Sequence, residues 1–341
     1  MRRHRVLLGT VLAVLAVLLV HAAFAGAGHR LNGQAHPLND QGRSFLSPVR
    51  WPQQGQAALV LGNGRLAASP HEQPVAVASL AKVMTAYLTL KRYPLSGVQD
   101  GFEITVTAAQ AQAVTQDARQ GQSVVAVRAG EPLTERQLLE ALLIPSGNNI
   151  AQMLAADVAG SETRFVAEMN AEARTLGMDH TMYTDPSGFD PSTVSIAADQ
   201  LRVFQRAMRF PVFRQIVSMA SVTLPVAGTL TNFNPLIADG YAGKTGSDSA
   251  AGGCLAFFTH VTVGGRRLTA AGVVTGQGQG GDTPALLAAA GEATQQLVNS
   301  VVPATRVRTT GVPSAVGGPG GDAGGHRRPP PRALGPPSAQ P

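Results

Sequence analysis

Apolar residues in this chain fall into blocks of changing period, and the blocks predict its elements. The run from Val6 to Val20 is apolar but for Gly9 and Thr10, with Met1-Arg2-Arg3-His4-Arg5 before it and Ala23-Phe24-Ala25 after it. A basic start, an apolar centre and a small-x-small site predict a signal peptide over 1–25. No formally charged residue stands between Arg5 and Arg30, so the same stretch could stay in a membrane as an anchor with its arginines inside. Residues 26–54 are polar, contain Gly and Pro, and read as a spacer. Residues 303–341 are rich in Pro, Gly and Arg with no apolar period, and read as a disordered tail. The periodic blocks lie between, over 55–302, enough chain for one large domain.

Within that body, apolar runs over 57–61 and 65–68 flank Gly62-Asn63-Gly64, a hairpin signature. Residues 77–90 are apolar and small without Gly or Pro, and predict a helix. Strands are predicted over 102–106 and 123–128. Thr134, with Gln137 three residues on, predicts a capping box opening a helix that carries Leu138, Leu139, Leu142 and Leu143 and breaks at Pro145. Further helices are predicted over 150–158, 165–176 and 197–210, with a turn at 185–188. The last third turns to β: strands over 254–263 and 266–274 joined by Gly264-Gly265, then a closing helix over 285–301. Helices first, an antiparallel sheet late and one early hairpin give an α+β fold, in which N- and C-terminal strands share a sheet packed by the last helix.

Charge refines this picture twice. The formal net charge of +6 belongs to the two basic ends, and the body between them is slightly acidic. That body offers no basic face for a nucleic-acid partner; the ends read as a solvated tail or as suited to anionic lipid or wall polymer. Among 27 basic residues only Lys82, Lys91 and Lys244 are lysines. Arg holds its proton in proteins, whereas Lys shifts its pKa readily and can act as a base. Lys82 and Lys244 are therefore candidates for chemistry that needs lysine. Lys91, beside Arg92 at a helix end, reads as a charge that complements the helix dipole. Ser79 stands three residues before Lys82 and so shares a helix face with it. A deprotonated amine there would activate the hydroxyl as a nucleophile. Cys254 is the only cysteine, so no intrachain disulfide can form, and its apolar surroundings make it a buried small hydrophobe. No His/Cys cluster points to a metal, and no cofactor is called for.

Two further motifs complete a set. Ser146-x-Asn148 lies in a loop between predicted helices, and Lys244-Thr245-Gly246 just before the β-rich third. In the order S-x-x-K, S-x-N, K-T-G, the three are the set of class A β-lactamases and penicillin-binding proteins. Leu133-Thr134-Glu135-Arg136-Gln137 leads into Ser146, Leu176-Gly177-Met178-Asp179-His180-Thr181 precedes Asp185-Pro186-Ser187-Gly188, and Thr231-Asn232-Phe233-Asn234-Pro235 precedes Lys244. With these, the chain over about 56–301 resembles the low-molecular-mass penicillin-binding proteins, the D-alanyl-D-alanine carboxypeptidases of serine peptidase family S11. The resemblance implies a β-lactamase/transpeptidase-like fold, an antiparallel sheet flanked by helices with a helical subdomain, and a serine DD-peptidase domain over 55–302. It implies that Ser79 is acylated, Lys82 is its base, Ser146 relays a proton to the leaving D-alanine and Asn148 holds the substrate backbone. Lys244 and Thr245 would recognise the terminal carboxylate, and the N–H groups of Ser79 and Ser247 would form the oxyanion hole. Peptidoglycan stem peptides ending in D-Ala-D-Ala are the implied substrates and β-lactams the covalent inhibitors. The implied location is extracytoplasmic, secreted or anchored to the outer face of the cytoplasmic membrane.

Two departures stand out. Asn149 occupies the position after the S-x-N asparagine, where the family commonly has Asp. Gln277-Gly278-Gln279 stands where many relatives place a carboxylate-binding arginine, so Lys244 and Thr245 are left as the motif groups for that carboxylate, unless Arg266 or Arg267 substitutes. A β-lactamase is the alternative enzyme. Its deacylating Glu-x-x-x-Asn arrangement is lacking at Glu162, Glu168 and Glu172, which are followed four residues on by Val166, Glu172 and Leu176. A non-catalytic wall-binding protein on the same fold is the alternative from another class, and retention of both motif lysines argues against it.

Overall fold

An antiparallel sheet of five strands organises the computed structural model, which describes residues 49–302 and the backbone of a strand pair, Asn39–Asp40 with Arg43–Ser44. The predicted signal or anchor over 1–25 and the tail over 303–341 lie outside the described residues. No helix among the described residues is long and apolar enough to cross a membrane. The strands are β1 (Gln56–Leu61), β2 (Ala67–Ala68), β3 (Ala242–Asp248), β4 (Gly252–Val263) and β5 (Arg266–Gln277), in the order β3-β4-β5-β1-β2. As expected, the N-terminal hairpin joins the C-terminal strands, with β1 pairing antiparallel to β5. Gly264 and Gly265 close the β4–β5 hairpin at φ 57° and 78°, the left-handed pair that a two-residue primed turn requires.

Strand β1 is buried at every position, which is why its sequence after Gln56 is continuously apolar rather than alternating. Ala57, Leu59 and Leu61 face one core cluster, Ala58 and Val60 the other. Removing a side chain such as Leu59, which is fully buried, costs about 2–5 kcal/mol. The first cluster is sealed by the closing helix, which packs on β4 and β5. On the opposite face lies the helical half, built around a 3-10 turn at Ala78–Ala81 that runs directly into α1 (Lys82–Arg92). Lys82 to Leu90 are all buried, so α1 is the central helix of the fold. The helices that follow are α2 (Ala108–Arg119), α3 (Glu135–Leu143), α4 (Asn148–Ala159), α5 (Glu162–Thr175), α6 (Ala197–Ala207), α7 (Pro211–Ile216) and the closing α8 (Thr283–Val301). α3, α4, α5 and α6 pack on α1, and α6 also lies on β1 and β5.

Several expectations change. The stretch 123–128 is not a strand: the N–H and C=O of Val125 pair with the side-chain amide of Asn149, at 3.0 and 2.9 Å, instead of with a neighbouring strand. This is also what Asn149 does in place of the family aspartate, since a carboxylate could accept from Val125 N–H but not donate to its carbonyl. Helix α2 was not expected, nor α7, where Phe210-Pro211 restarts a helix with Pro in its first turn. The sheet begins earlier than expected, because Lys244-Thr245-Gly246 lies on its edge strand β3 rather than before it. Val49 and Trp51, in the stretch read as spacer, pack against the cluster under α8. Cys254 is fully buried, as its surroundings predicted, and burial pushes its thiol up to about 12.

Candidate active site

The predicted helix over 77–90 starts as a 3-10 turn, in which residues i and i+3 eclipse, so Ser79 and Lys82 align more closely than on an α-helix. Lys82 Nζ lies 2.8 Å from Ser79 Oγ, 2.6 Å from Asn148 Oδ1 and 3.0 Å from the Ser187 carbonyl. A neutral amine has two N–H donors and one lone pair. With Asn148 Oδ1 and Ser187 O accepting the two N–H groups, the lone pair is left for the Ser79 hydroxyl proton. The side chain is fully buried, and burial, with the Lys244 charge acting in the same direction, holds its pKa well below the usual lysine value. Asp185 opposes this from behind, but its carboxylate is engaged by the N–H groups of Ser187 and Phe189 and by the Ser187 and Thr193 hydroxyls.

The Asp185-Pro186-Ser187-Gly188 turn fixes this lysine from outside its own helix. Thr85 Oγ1, one turn into α1, donates to the Pro186 carbonyl at 2.6 Å, beside the Ser187 carbonyl that accepts from Lys82. Gly188 has φ 78°, and a Cβ there would lie 1.8 Å from the Ala78 carbonyl, so only glycine lets the turn press against the residue before Ser79. The sequence identified the turn but not what it holds.

Ser146 and Asn148 sit where α3 ends and α4 begins. Ser146 adopts φ 65°, and Ala78, beside Ser79, φ 46°, two of the three non-glycine residues with positive φ among the described residues. Such strained backbone costs about 1–3 kcal/mol each and collects at functional sites. Ser146 Oγ accepts from Lys244 Nζ at 2.9 Å, and the Thr245 carbonyl accepts from the same ammonium at 2.7 Å. Lys244 is also buried, and burial lowers its pKa to about 7. Gly246 lets β3 approach the nucleophile turn: a Cβ there would stand 3.1 Å from Ser79 N. Ser247 follows on the same strand, opposite Gly253 of β4. Hydrogen bonds therefore tie Ser79, Lys82 and Asn148 into one group and Ser146 and Lys244 into a second, with Thr245 and Ser247 on the same strand as Lys244.

Gln122 gave no signal in the sequence. Its Oε1 accepts from Asn148 Nδ2 at 2.9 Å, which orients the amide so that its oxygen faces Lys82. Asp117 Oδ1 and Gln120 Oε1 in turn accept from Gln122 Nε2, at 3.3 and 3.2 Å.

Other candidates are engaged elsewhere. Gln277 donates to the carbonyls of Gln54 and Thr275, at 2.6 and 2.8 Å. Arg266 pairs with Val263 at the hairpin tip, whereas Lys244 pairs with Ala256, which leaves roughly 23 Å of strand between them at ~3.3 Å per residue. Neither Arg266 nor its neighbour Arg267 can serve as the carboxylate clamp. Glu168 pairs with Arg92 and Arg164, and Glu172 with Lys91 and Tyr87, at the far end of α1 from Ser79.

The fold is that of the DD-peptidases. A Streptomyces DD-transpeptidase superposes with a TM-score of 0.61 at 24% identity, covering 74% of this chain and 99% of that one. A penicillin-binding protein homologue from Mycobacterium tuberculosis superposes with a TM-score of 0.58 at 30% identity, covering 74% of this chain and 92% of that one. The family model for D-alanyl-D-alanine carboxypeptidase matches residues 61–276, and the chain belongs to that family. Among curated relatives, D-alanyl-D-alanine carboxypeptidase DacB2 of M. tuberculosis is 39% identical over 156 residues, 43% of this chain and 53% of the relative. A D-alanyl-D-alanine endopeptidase of Escherichia coli is 29% identical over 222 residues, 60% of this chain and 66% of the relative. The chain thus spans about half to two thirds of the length of these relatives.

Proposed function

We propose that the protein is a serine D-Ala-D-Ala carboxypeptidase that removes the terminal D-alanine from peptidoglycan stem peptides outside the cytoplasmic membrane. The observation that carries this reading is the buried Lys82 amine, 2.8 Å from Ser79 Oγ with its pKa lowered. Neutral Lys82 takes the Ser79 hydroxyl proton as Oγ attacks the carbonyl carbon of the penultimate D-alanine. The oxyanion that forms accepts from the N–H groups of Ser79 and Ser247, an arrangement in which one lost donor typically costs about 3–4 kcal/mol. Ser146, bonded to Lys244, relays the proton that Lys82 took from Ser79 to the leaving amine, so D-alanine departs and Lys82 is neutral again. Water then hydrolyses the Ser79 ester with Lys82 again as base. Asn148 holds the peptide backbone, while Lys244 and Thr245 receive the terminal carboxylate. Its negative charge raises the Lys244 pKa and keeps that lysine protonated when substrate is bound. β-Lactams enter the same sequence and remain as acyl adducts. The basic N-terminal segment serves as export signal or membrane anchor.

Intact-mass spectrometry of the protein from its native host, with and without penicillin, tests this reading. A single adduct on Ser79, absent in Ser79→Ala, is expected, and the same spectrum reports whether 1–25 has been removed. An adduct that persists in Ser79→Ala, or that maps to Ser146, overturns the assignment.

A further inference from the structure

A second cluster of charged side chains lies outside the catalytic one, on the helical face of the sheet. α6 and the turn after it cover a cavity of about 360 Å³, which Arg202, Arg206 and Arg209 all line. Arg202 and Arg206 stand at i and i+4 on one face of α6 and Arg209 in the turn that follows, so three like charges gather at one cavity and repel one another. Little within the fold offsets that repulsion. Arg202 meets Asp199 at 3.7 Å, and among the described residues Arg206 and Arg209 have no acidic partner. No acidic residue occurs between Asp199 and Asp239, although the body as a whole is slightly acidic. A charge for the end of α6 would explain Arg206 alone, since a dipole acts only over the last turn.

Under the arginines the lining is mixed, with Gln205 and Thr269 beside an apolar floor. Val60, Met208, Phe258 and Ala271 line it, and the last two are only partly buried. A purely solvated charge cluster has no use for an apolar floor left open. Guanidinium groups match the oxygens of phosphate as bidentate forks, and several forks can share one phosphate. None of the residues assigned to the catalytic cluster lines this cavity.

We propose that this cavity binds a phosphate ester whose substituent is apolar, with the three arginines on the phosphate and the sheet residues under the substituent. The phosphate belongs either to an anionic phospholipid or to a free organophosphate, and the two share this chemistry.

The test is a titration of the full chain with hexyl phosphate, followed by the NMR methyl signals of Met208 and Ala271, which report the cavity independently of the basic termini. Hexyl phosphate is expected to shift both signals. The Arg206→Gln/Arg209→Gln variant should bind at least about tenfold more weakly, because two hydrogen-bonded charges are lost. Inorganic phosphate and hexanoate should each bind more weakly than hexyl phosphate. Penicillin acylation at the wild-type rate establishes that the variant is folded. Vesicles carrying spin-labelled phosphatidylglycerol distinguish the sources: broadening of the Met208 methyl assigns a membrane lipid, and binding of hexyl phosphate without broadening assigns a free ester. No shift, an equal shift in the folded variant, or hexanoate binding as tightly as hexyl phosphate overturns the proposal.

Discussion

Helix α1 carries a lysine at each end, and the two differ in almost every physical respect. Lys82 opens the helix, is fully buried, touches no carboxylate and is held below the usual lysine pKa by burial. Lys91 closes it, is half exposed, and has its pKa raised by the hydrogen bond to Glu172 at 2.6 Å. Its ammonium also lies 5.9 Å from the centre of the Tyr87 ring. The residue type is the same and the backbone continuous, so what separates a base from a charge is what each end of the helix touches. At the start it touches uncharged acceptors supplied by α4 and the Asp185–Gly188 turn. At the end it touches a carboxylate and water.

The strongest way to break this comparison is to exchange each lysine for arginine. Lys82→Arg keeps the charge but cannot accept a proton, and should lower the rate of acylation by penicillin by about 10²–10⁴-fold. Lys91→Arg should leave that rate within about twofold, since an exposed ion pair contributes only ~0–1 kcal/mol. Equal and mild losses at the two positions would remove the distinction.

Lys244 sharpens the comparison, as a buried lysine with a task different from that of Lys82. With one lysine and no arginine fork at the carboxylate, kcat/KM for free-acid peptides should exceed that for the C-terminal amides by less than about a thousandfold, roughly 4 kcal/mol. Lys244→Ala should remove most of the difference. The pH dependence separates the lysines by sign. Lys82 must be neutral and Lys244 charged, so kcat/KM for the free acid rises through the lowered Lys82 pKa and falls above about pH 7 as free Lys244 loses its proton. An amidated peptide should lose much of the falling limb. Discrimination above a thousandfold would reveal a second cation at the site.

Gln122 provides a gentler perturbation. Gln122→Ala frees Asn148 Nδ2 and with it the orientation of the oxygen that faces Lys82. One neutral hydrogen bond contributes about 1 kcal/mol, so KM should rise about fivefold with kcat nearly unchanged. A change in kcat alone would place Gln122 in proton transfer instead.

What the sequence could convey follows the same division between local and distant causes. Ser79, Lys82 and the Thr134–Gln137 capping box were legible because the spacing of a few residues defines them; Thr134 caps α3 as expected. Helix α2 was missed because none of its residues is buried, so it has no apolar period. Its one signal was the Thr107–Gln110 capping box, which the structure forms. β3 was missed as a strand because Gly243 and Gly246 are poor strand formers, present where backbones come close rather than for propensity. The Ser187 carbonyl and Gln122 escaped for another reason. They are 105 residues from Lys82 and 26 from Asn148, contacts that only the folded chain creates.

The scarcity of lysine makes the central claim directly measurable. With three lysines in the chain, selectively ¹³C-labelled lysine gives three Cε signals, assignable by single substitution and each followed against pH by NMR. Three separate titrations are expected: Lys91 above the ordinary value of 10.5, Lys244 near 7, and Lys82 well below 10.5. A Lys82 signal that titrates together with Lys91 would mean that it is protonated beside Ser79 at neutral pH, and the base assigned to this site would be wrong.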